Sequence, residues 1–195
     1  MTTHLVPTHP AVTLGILAGG EGARLGGRDK AWLERDGEAL VVLLARRMAP
    51  QVDAVLVGAN RNPERYLSHG LRAIHDRVPG IGPLGGLDAL AHACRSPWLL
   101  TLPVDLLAVP DDLLDRLVDT GQGACAEDDD GRQPLVALWR TQALRNAAGA
   151  AIASADHAVH ALQSRLDMAC VRFEGVRFGN LNAPADLAAA GIEAP

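Results

Sequence analysis

Aromatic residues and positive charge are both scarce in this chain. Phe, Trp and Tyr make up 3% of its 195 residues, and the formal net charge is −5 at pH 7. Nucleic-acid-binding proteins hold phosphates on a basic surface, and single-strand binders stack bases on aromatic side chains. The composition therefore argues against a nucleic-acid partner.

Cysteines are few, and no long apolar run is present. Cys94, Cys125 and Cys170 are far apart and form no Cys-x-x-Cys pair, which favours reduced thiols in a cytoplasmic protein. The apolar run from Val12 to Ala18 is too short for a membrane span, and the first ten residues lack the basic region of a signal peptide. We expect a cytoplasmic protein with no membrane partner. Its length predicts one domain over residues 1–195, ordered from about 11 to 190.

Short apolar runs alternate with segments of helical spacing. This alternation predicts an α/β protein with a three-layer α/β/α, Rossmann-like arrangement and a mostly parallel sheet. The stretch 79–86 is rich in proline and glycine, which is typical of a loop, and three aspartates at 128–130 predict a solvated turn. The predicted strands are Val12–Leu17, Ala54–Val57, Leu71–Ile74, Trp98–Leu102, Ala124–Ala126, Leu135–Leu138 and Cys170–Phe173. The predicted helices are Leu40–Met48, Leu87–Cys94, Asp111–Val118, Thr141–Ala153, Ala158–Arg165 and Pro184–Ala190.

A glycine-rich loop follows the first predicted strand. It contains five glycines between residues 19 and 27 and two spaced cations, Arg24 and Lys30. Glycines let backbone N–H groups approach an anion, and both cations can bind phosphate. Lys30 is the single lysine among 18 basic residues, which marks a position where arginine does not serve. The loop lacks the residues of a Walker loop and of a dinucleotide fingerprint.

Two carboxylates follow other predicted strands. Asp105 comes directly after the strand at 98–102, and Asp76 comes after the strand at 71–74. Ligands of open α/β sheets bind beyond the carboxyl ends of the strands, so both side chains are expected beside the glycine-rich loop. Mg²⁺ typically uses one or two carboxylates plus substrate phosphates, and Asp105 is the predicted metal ligand. Helix capping by Asp105 and an ordinary turn at Asp76 are the alternatives.

Two further segments carry residues that suit a ligand. Gly82 and Pro83 open a glycine-rich stretch that allows close backbone approach. Asn180 and Asn182 stand two residues apart, so in an extended segment their amides face the same way. Asn182 is also a candidate helix cap.

Together these residues resemble the molybdenum cofactor guanylyltransferases, the MobA family. The resemblance covers about residues 12 to 190, and the motifs occur in the family's order. They are Leu17-Ala18-Gly19-Gly20, Arg24-Leu25-Gly26-Gly27-x-Asp29-Lys30, Ala59-Asn60-Arg61, Asp76, Gly82-Pro83-Leu84-x-Gly86-Leu87, Leu102-Pro103-Val104-Asp105 and Asn180-Leu181-Asn182-x-Pro184-x-Asp186-Leu187.

The resemblance implies a GT-A-like nucleotidyltransferase that transfers GMP from GTP to molybdenum-molybdopterin and releases pyrophosphate. It implies Mg²⁺ as the cofactor and Arg24, Lys30 and Asp105 as the catalytic residues. Nucleotide-binding roles are implied for Leu17, Ala18, Gly19, Gly20, Lys30, Asp76 and Asp105, and pterin-side roles for Gly82, Pro83, Asn180 and Asn182. A monomer that hands its product to molybdoenzyme maturation proteins is the expected physiological form.

The chain departs from the family pattern at Gly58, where an asparagine is common, and this puts one nucleotide contact in question. Two alternative functions stay open. One is a relative that uses CTP on molybdopterin, or another small-molecule nucleotidyltransferase. The other is a nucleotide-binding partner protein without turnover.

Overall fold

The structure is a computed structural model, and it describes residues 10–19, 29–179, 181 and 191–193. The strands are β1 (Val12–Leu17), β2 (Glu34–Arg35), β3 (Glu38–Ala39), β4 (Ala54–Gly58), β5 (Arg72–Ile74), β6 (Trp98–Pro103), β7 (Ala124–Asp128), β8 (Gly131–Arg140), β9 (Ala169–Arg172) and β10 (Ile192–Glu193). The helices are α1 (Leu40–Met48), α2 (Pro63–Ser68), α3 (Pro83–Ala93), α4 (Leu113–Val118), α5 (Thr141–Ala153) and α6 (Val159–Arg165), with short 3₁₀ turns at Lys30–Trp32 and Ala49–Gln51.

The main sheet has the strand order β5-β4-β1-β6-β8-β7-β9. β1 pairs in parallel with β4 and β6, β4 pairs in parallel with β5, and β7 pairs in parallel with β9. β8 runs antiparallel to both of its neighbours. The predicted mostly parallel sheet is confirmed, and the first half of the chain supplies four strands whose carboxyl ends share one edge.

Helices cover both faces of this sheet. Successive side chains on a strand point to opposite faces, so Leu100 and Leu102 of β6 join one apolar core while Leu99 joins the other. α1 and α4 pack on the first face, and α3, α5 and α6 pack on the second. The predicted three-layer α/β/α arrangement is confirmed, and the early strands are apolar throughout because both of their faces are buried.

Gly15 lets α3 approach the centre of the sheet. A Cβ at this position of β1 would lie 3.0 Å from Leu90 and 3.1 Å from Leu99. Leu90 of α3 and Leu99 of β6 are fully buried, so neither side chain has room to withdraw. The close contact fixes α3, and with it the first turn of that helix, against the edge where β1 ends.

Most predicted elements are present, but helix α2 was not predicted and three further expectations were wrong or incomplete. α3 begins at Pro83, four residues before the predicted start, because proline suits the first turn of a helix. Asp128 is fully buried, so the acidic turn is not simply solvated. Two-residue strands β2, β3 and β10 form a small second sheet that the sequence did not predict. The predicted helix at 184–190 lies outside the described residues.

Within the described ranges, no helix combines the length and the apolar character needed to cross a membrane.

Candidate nucleotide site

The parallel strands bring the predicted binding segments to one edge. At the end of β1, the carbonyl oxygen of Leu17 accepts a hydrogen bond from Val104 N at 3.1 Å, and Ala18 N donates to Gly58 O at 3.0 Å. The segment after β4 is joined to the end of β5 in the same way, because Ala59 N donates a hydrogen bond to the Ile74 carbonyl oxygen at 3.0 Å. The segments that follow β1, β4, β5 and β6 therefore form one continuous rim.

Lys30 and Asp105 meet on this rim. The Lys30 Nζ atom lies 2.6 Å from Asp105 Oδ2, and the two side chains are 25% and 12% exposed. A carboxylate this buried at the end of an apolar strand needs a cationic partner, and Lys30 supplies it. Asp105 does not cap α4, whose N-cap residue is Asp112, so the capping alternative for Asp105 is excluded.

A 3₁₀ turn holds Lys30 in place. Asp29 accepts a hydrogen bond from Ala31 N at 3.1 Å and so caps this turn. Burial raises the pKa of Asp29, although the bond from Ala31 N and the charges of Arg61 and Arg65 act in the opposite direction. Trp32 anchors the other end of the turn in the core, with the Arg65 guanidinium 4.0 Å above its ring.

Asp76 lies beside the end of β1, held between Asn60 and α3. Asn60 Nδ2 donates to Asp76 Oδ2 at 2.9 Å, and Asp76 N donates to Asn60 Oδ1 at 2.8 Å. A Cβ on Gly86 would lie 3.0 Å from Leu17 Cδ2 and 3.9 Å from Asp76 Oδ1. Asp76 and Leu17 thus both lie within 4 Å of the place that a Cβ on Gly86 would occupy.

The side chains of this rim fit a magnesium ion that is held partly by substrate. No group of three or more His, Cys, Asp and Glu side chains able to hold a metal occurs among residues 10–19, 29–179, 181 and 191–193. Mg²⁺ bound to a nucleotide needs only one or two protein carboxylates, because phosphates and water complete its octahedron. Asp105, a carboxylate beside the lysine of the glycine-rich loop, has the oxygen chemistry for that role.

The predicted pterin-side residues fall at two places. Gly82, with a φ of +65°, caps α3, and Pro83 is the first residue of that helix. The second segment is described up to Gly179 and at Leu181, and Phe178 O accepts hydrogen bonds from Leu107 N at 2.8 Å and Ala108 N at 3.2 Å. This contact joins the second segment to the chain that follows Asp105. Gly20, Arg24, Asn180 and Asn182 lie outside the described residues.

Asp128 is a residue whose part in this arrangement the sequence did not reveal. Its Oδ2 accepts a hydrogen bond from Phe178 N at 2.8 Å, and its Oδ1 accepts from Asp130 N at 2.9 Å and Gln133 Nε2 at 3.0 Å. Burial acts to raise the pKa of Asp128, but these hydrogen bonds outweigh it and lower the pKa below its ordinary value. The buried carboxylate thereby fixes Phe178 beside Leu107.

The sheet order, the two covering layers and the Lys30–Asp105 pair at the carboxyl edge are those expected of a nucleotidyltransferase. Residues 14–170 match the model of the MobA-like NTP transferase domain, and the chain belongs to that family.

Named relatives agree with this assignment. The chain is 41% identical over 181 residues to a molybdenum cofactor guanylyltransferase of Cereibacter sphaeroides, covering 90% of this chain and 93% of the relative. A protein of the same name from Photobacterium profundum is 34% identical over 183 residues, covering 88% and 91% of the two chains.

Solved structures share the fold. Molybdopterin-guanine dinucleotide biosynthesis protein A from Archaeoglobus fulgidus superposes with a TM-score of 0.71 at 20% identity, covering 92% of this chain and 96% of that one. The 2-C-methyl-D-erythritol 4-phosphate cytidylyltransferase from Thermus thermophilus gives a TM-score of 0.68 at 17% identity, covering 94% and 98%.

Proposed function

We propose that this enzyme transfers GMP from GTP to molybdenum-molybdopterin and forms molybdopterin guanine dinucleotide. The observation that carries the proposal is the Lys30–Asp105 pair, in which a phosphate-binding cation and a metal-binding carboxylate meet at the edge where β1 ends. The choice of GMP and of the pterin rests on the relatives named molybdenum cofactor guanylyltransferase.

The reaction needs little covalent chemistry from the protein. An oxygen of the terminal phosphate of the acceptor forms a bond to the α-phosphorus of GTP, the bond from that phosphorus to the β-phosphate oxygen breaks, and pyrophosphate leaves. Positioning of the two substrates and stabilisation of charge therefore supply most of the catalysis. Leu17, Ala18 and Gly19 would hold the nucleotide at the end of β1, and Asp76 would contact it from the β5 side.

Lys30, which lies against Asp105 on this rim, is proposed to bind the phosphates. Its ammonium would leave the Asp105 carboxylate in part and bind the oxygens that become more negative as pyrophosphate departs. Asp105 would hold Mg²⁺, which when bound offsets negative charge on the phosphate oxygens. Arg24 and Gly20 are proposed to complete the phosphate cradle from the glycine-rich loop.

The acceptor would lie between the start of α3 and the segment after Phe178. Gly82 and Pro83 border the first of these, and Asn180 and Asn182 belong to the second. Leu107 and Ala108 hold Phe178 directly after Asp105, so an acceptor phosphate bound by this segment would lie close to the metal ligand.

A nucleotidyl-transfer assay tests the proposal. The purified protein is given Mg²⁺, molybdenum-molybdopterin and either GTP or CTP, and pyrophosphate release is followed. We expect release that depends on the pterin and is faster with GTP. Faster release with CTP would assign the chain to the cytidylyl relatives, and GTP binding without any release would indicate a partner protein.

A further inference from the structure

We infer that Asn60 is a positioning residue, which holds the Asp76 carboxylate in the orientation that binds the nucleotide. The inference rests on the proposed function insofar as Asp76 is taken to contact the nucleotide. Asn60 follows β4, and Asp76 follows the neighbouring strand β5, so the two side chains meet across the turn between adjacent parallel strands.

One amide group makes both hydrogen bonds to Asp76. Nδ2 of Asn60 donates to the carboxylate, and Oδ1 accepts from the backbone N–H of the same aspartate. If the Asn60 amide were flipped, its NH₂ group would face the backbone N–H of Asp76 and its oxygen would face the carboxylate. Only one amide orientation therefore makes both hydrogen bonds. The pair therefore fixes the Asp76 side chain relative to its own backbone.

The first turn of α3 restrains the carboxylate from the other side. A Cβ on Gly85 would lie 3.0 Å from Asp76 Oδ2 and 3.0 Å from the Val78 carbonyl oxygen, so only glycine lets the helix come this close. Since α3 packs closely on one side of the carboxylate, an Asp76 side chain released by Asn60 is expected to rotate away from α3. Asn60 thus supplies the contact that keeps the carboxylate on the side of the rim where Leu17 lies.

Titration of the protein with GTP in the presence of Mg²⁺, without an acceptor, tests the inference. Asn60→Ala is expected to weaken GTP binding about tenfold, close to the lower end of the range for a lost hydrogen bond to a charged group. Asn60→Asp is expected to weaken it further, because a second carboxylate would replace the donor 2.9 Å from Asp76. Asn62→Gly is the matched control, since the Asn62 side chain makes no capping hydrogen bond to α2 and its φ of +49° suits glycine.

The double variant separates positioning from a direct contact of Asn60 with the nucleotide. If Asn60 acts through Asp76, Asn60→Ala weakens GTP binding no further in an Asp76→Ala background. Additive losses would overturn the inference, as would an Asp76→Ala variant that binds GTP like the wild type. Thermal unfolding of each variant reports any general loss of stability, which would lower GTP binding equally in both backgrounds.

Failure of the proposed function gives a different result. A wild-type protein that binds GTP but releases no pyrophosphate with the pterin would contradict guanylyl transfer. The binding measurements would still show whether Asn60 acts through Asp76.

Discussion

The ammonium of Lys30 and the carboxylate of Asp105 lie 2.6 Å apart although 75 residues separate them in the chain. The contact sets the cation proposed for the phosphates against the carboxylate proposed for the metal. A nucleotide bound with Mg²⁺ would separate this pair. Its phosphates would bind Lys30, and its Mg²⁺ would bind Asp105. Under the proposed function, each side chain holds the other in place until substrate binds.

Replacing Lys30 by arginine tests whether a compact ammonium is needed at this position. The larger planar guanidinium should pair with Asp105 through two hydrogen bonds and misplace the phosphates. We expect the loss of transition-state stabilisation, from kcat/KM for GTP, to be about 1.5–3 kcal/mol. An unchanged kcat/KM would mean that either cation serves and that the single lysine has no special role.

Asp105→Asn is expected to abolish Mg²⁺-dependent turnover and to leave the fold intact. The change keeps the size of the side chain and one acceptor oxygen but removes the charge that would hold the cation. Turnover across a range of Mg²⁺ concentrations measures the effect, and circular dichroism checks the fold. Asp111→Asn, at a 94% exposed side chain paired with Arg47, is the matched control. Turnover within about tenfold of wild type would place the metal elsewhere.

Gly19→Ala addresses the choice of base. A Cβ at Gly19 would meet only Gly58 O, at 3.8 Å, so the described part of the protein accommodates a methyl group there. Any effect then falls on the ligand, and a purine lying against the loop should be crowded more than the smaller cytosine. We expect the ratio of kcat/KM for GTP to that for CTP to fall, without efficient use of CTP, since cytosine still lacks matching polar partners. An unchanged ratio would contradict the guanine assignment at Gly19.

Asp128→Asn should destabilise the protein at neutral pH and weaken acceptor binding. The NH₂ group of the introduced side-chain amide would face another donor, either Phe178 N or one of the groups that donate to Oδ1. We expect the free energy of unfolding to fall by about 1–3 kcal/mol. Because the folded pKa of Asp128 is lowered, its stabilisation is complete above the unfolded value and is lost as the pH falls from about 4 towards the folded pKa.

Chemical denaturation at pH 7 and at pH 3 measures this effect. The difference in unfolding free energy between wild type and Asp128→Asn should shrink at the lower pH. Asp130→Asn, whose side chain is half exposed, serves as the control and should change little. A difference that stays constant with pH would show that the Asp128 charge does not contribute.

Much of the fold could be predicted because its strands are short apolar runs, two of which, at 54–57 and 98–102, are followed directly by glycine or proline. The placement of Lys30 and Asp105 on one edge followed from the rule that parallel strands share a carboxyl edge, whereas their direct ion pair was not predicted. The predicted start of α3 came four residues too late because Gly85 and Gly86 are residues typical of loops. Close packing against Asp76 and Leu17 requires them inside this helix, and that packing is visible only in three dimensions.

The burial of Asp128 and the small second sheet escaped prediction for different reasons. Three consecutive aspartates are usually solvated, and the partner that changes this, Phe178, is 50 residues away. β2, β3 and β10 have two residues each, too few for hydrophobic alternation to register. The sequence showed Asn60 only as part of a motif, because its hydrogen bonds to Asp76 are formed between residues on two different strand ends.

The link between Phe178 and Leu107 also bears on how the chain folds. β1, β4 and β5 join through local crossovers, whereas this link closes a loop that contains β7, β8, α5, α6 and β9. Contacts between distant parts of a chain carry a larger loop-closure cost and form later. The bond from Ala18 N to Gly58 O spans a shorter stretch of chain, so during refolding the amide of Ala18 should become protected from hydrogen exchange before that of Leu107.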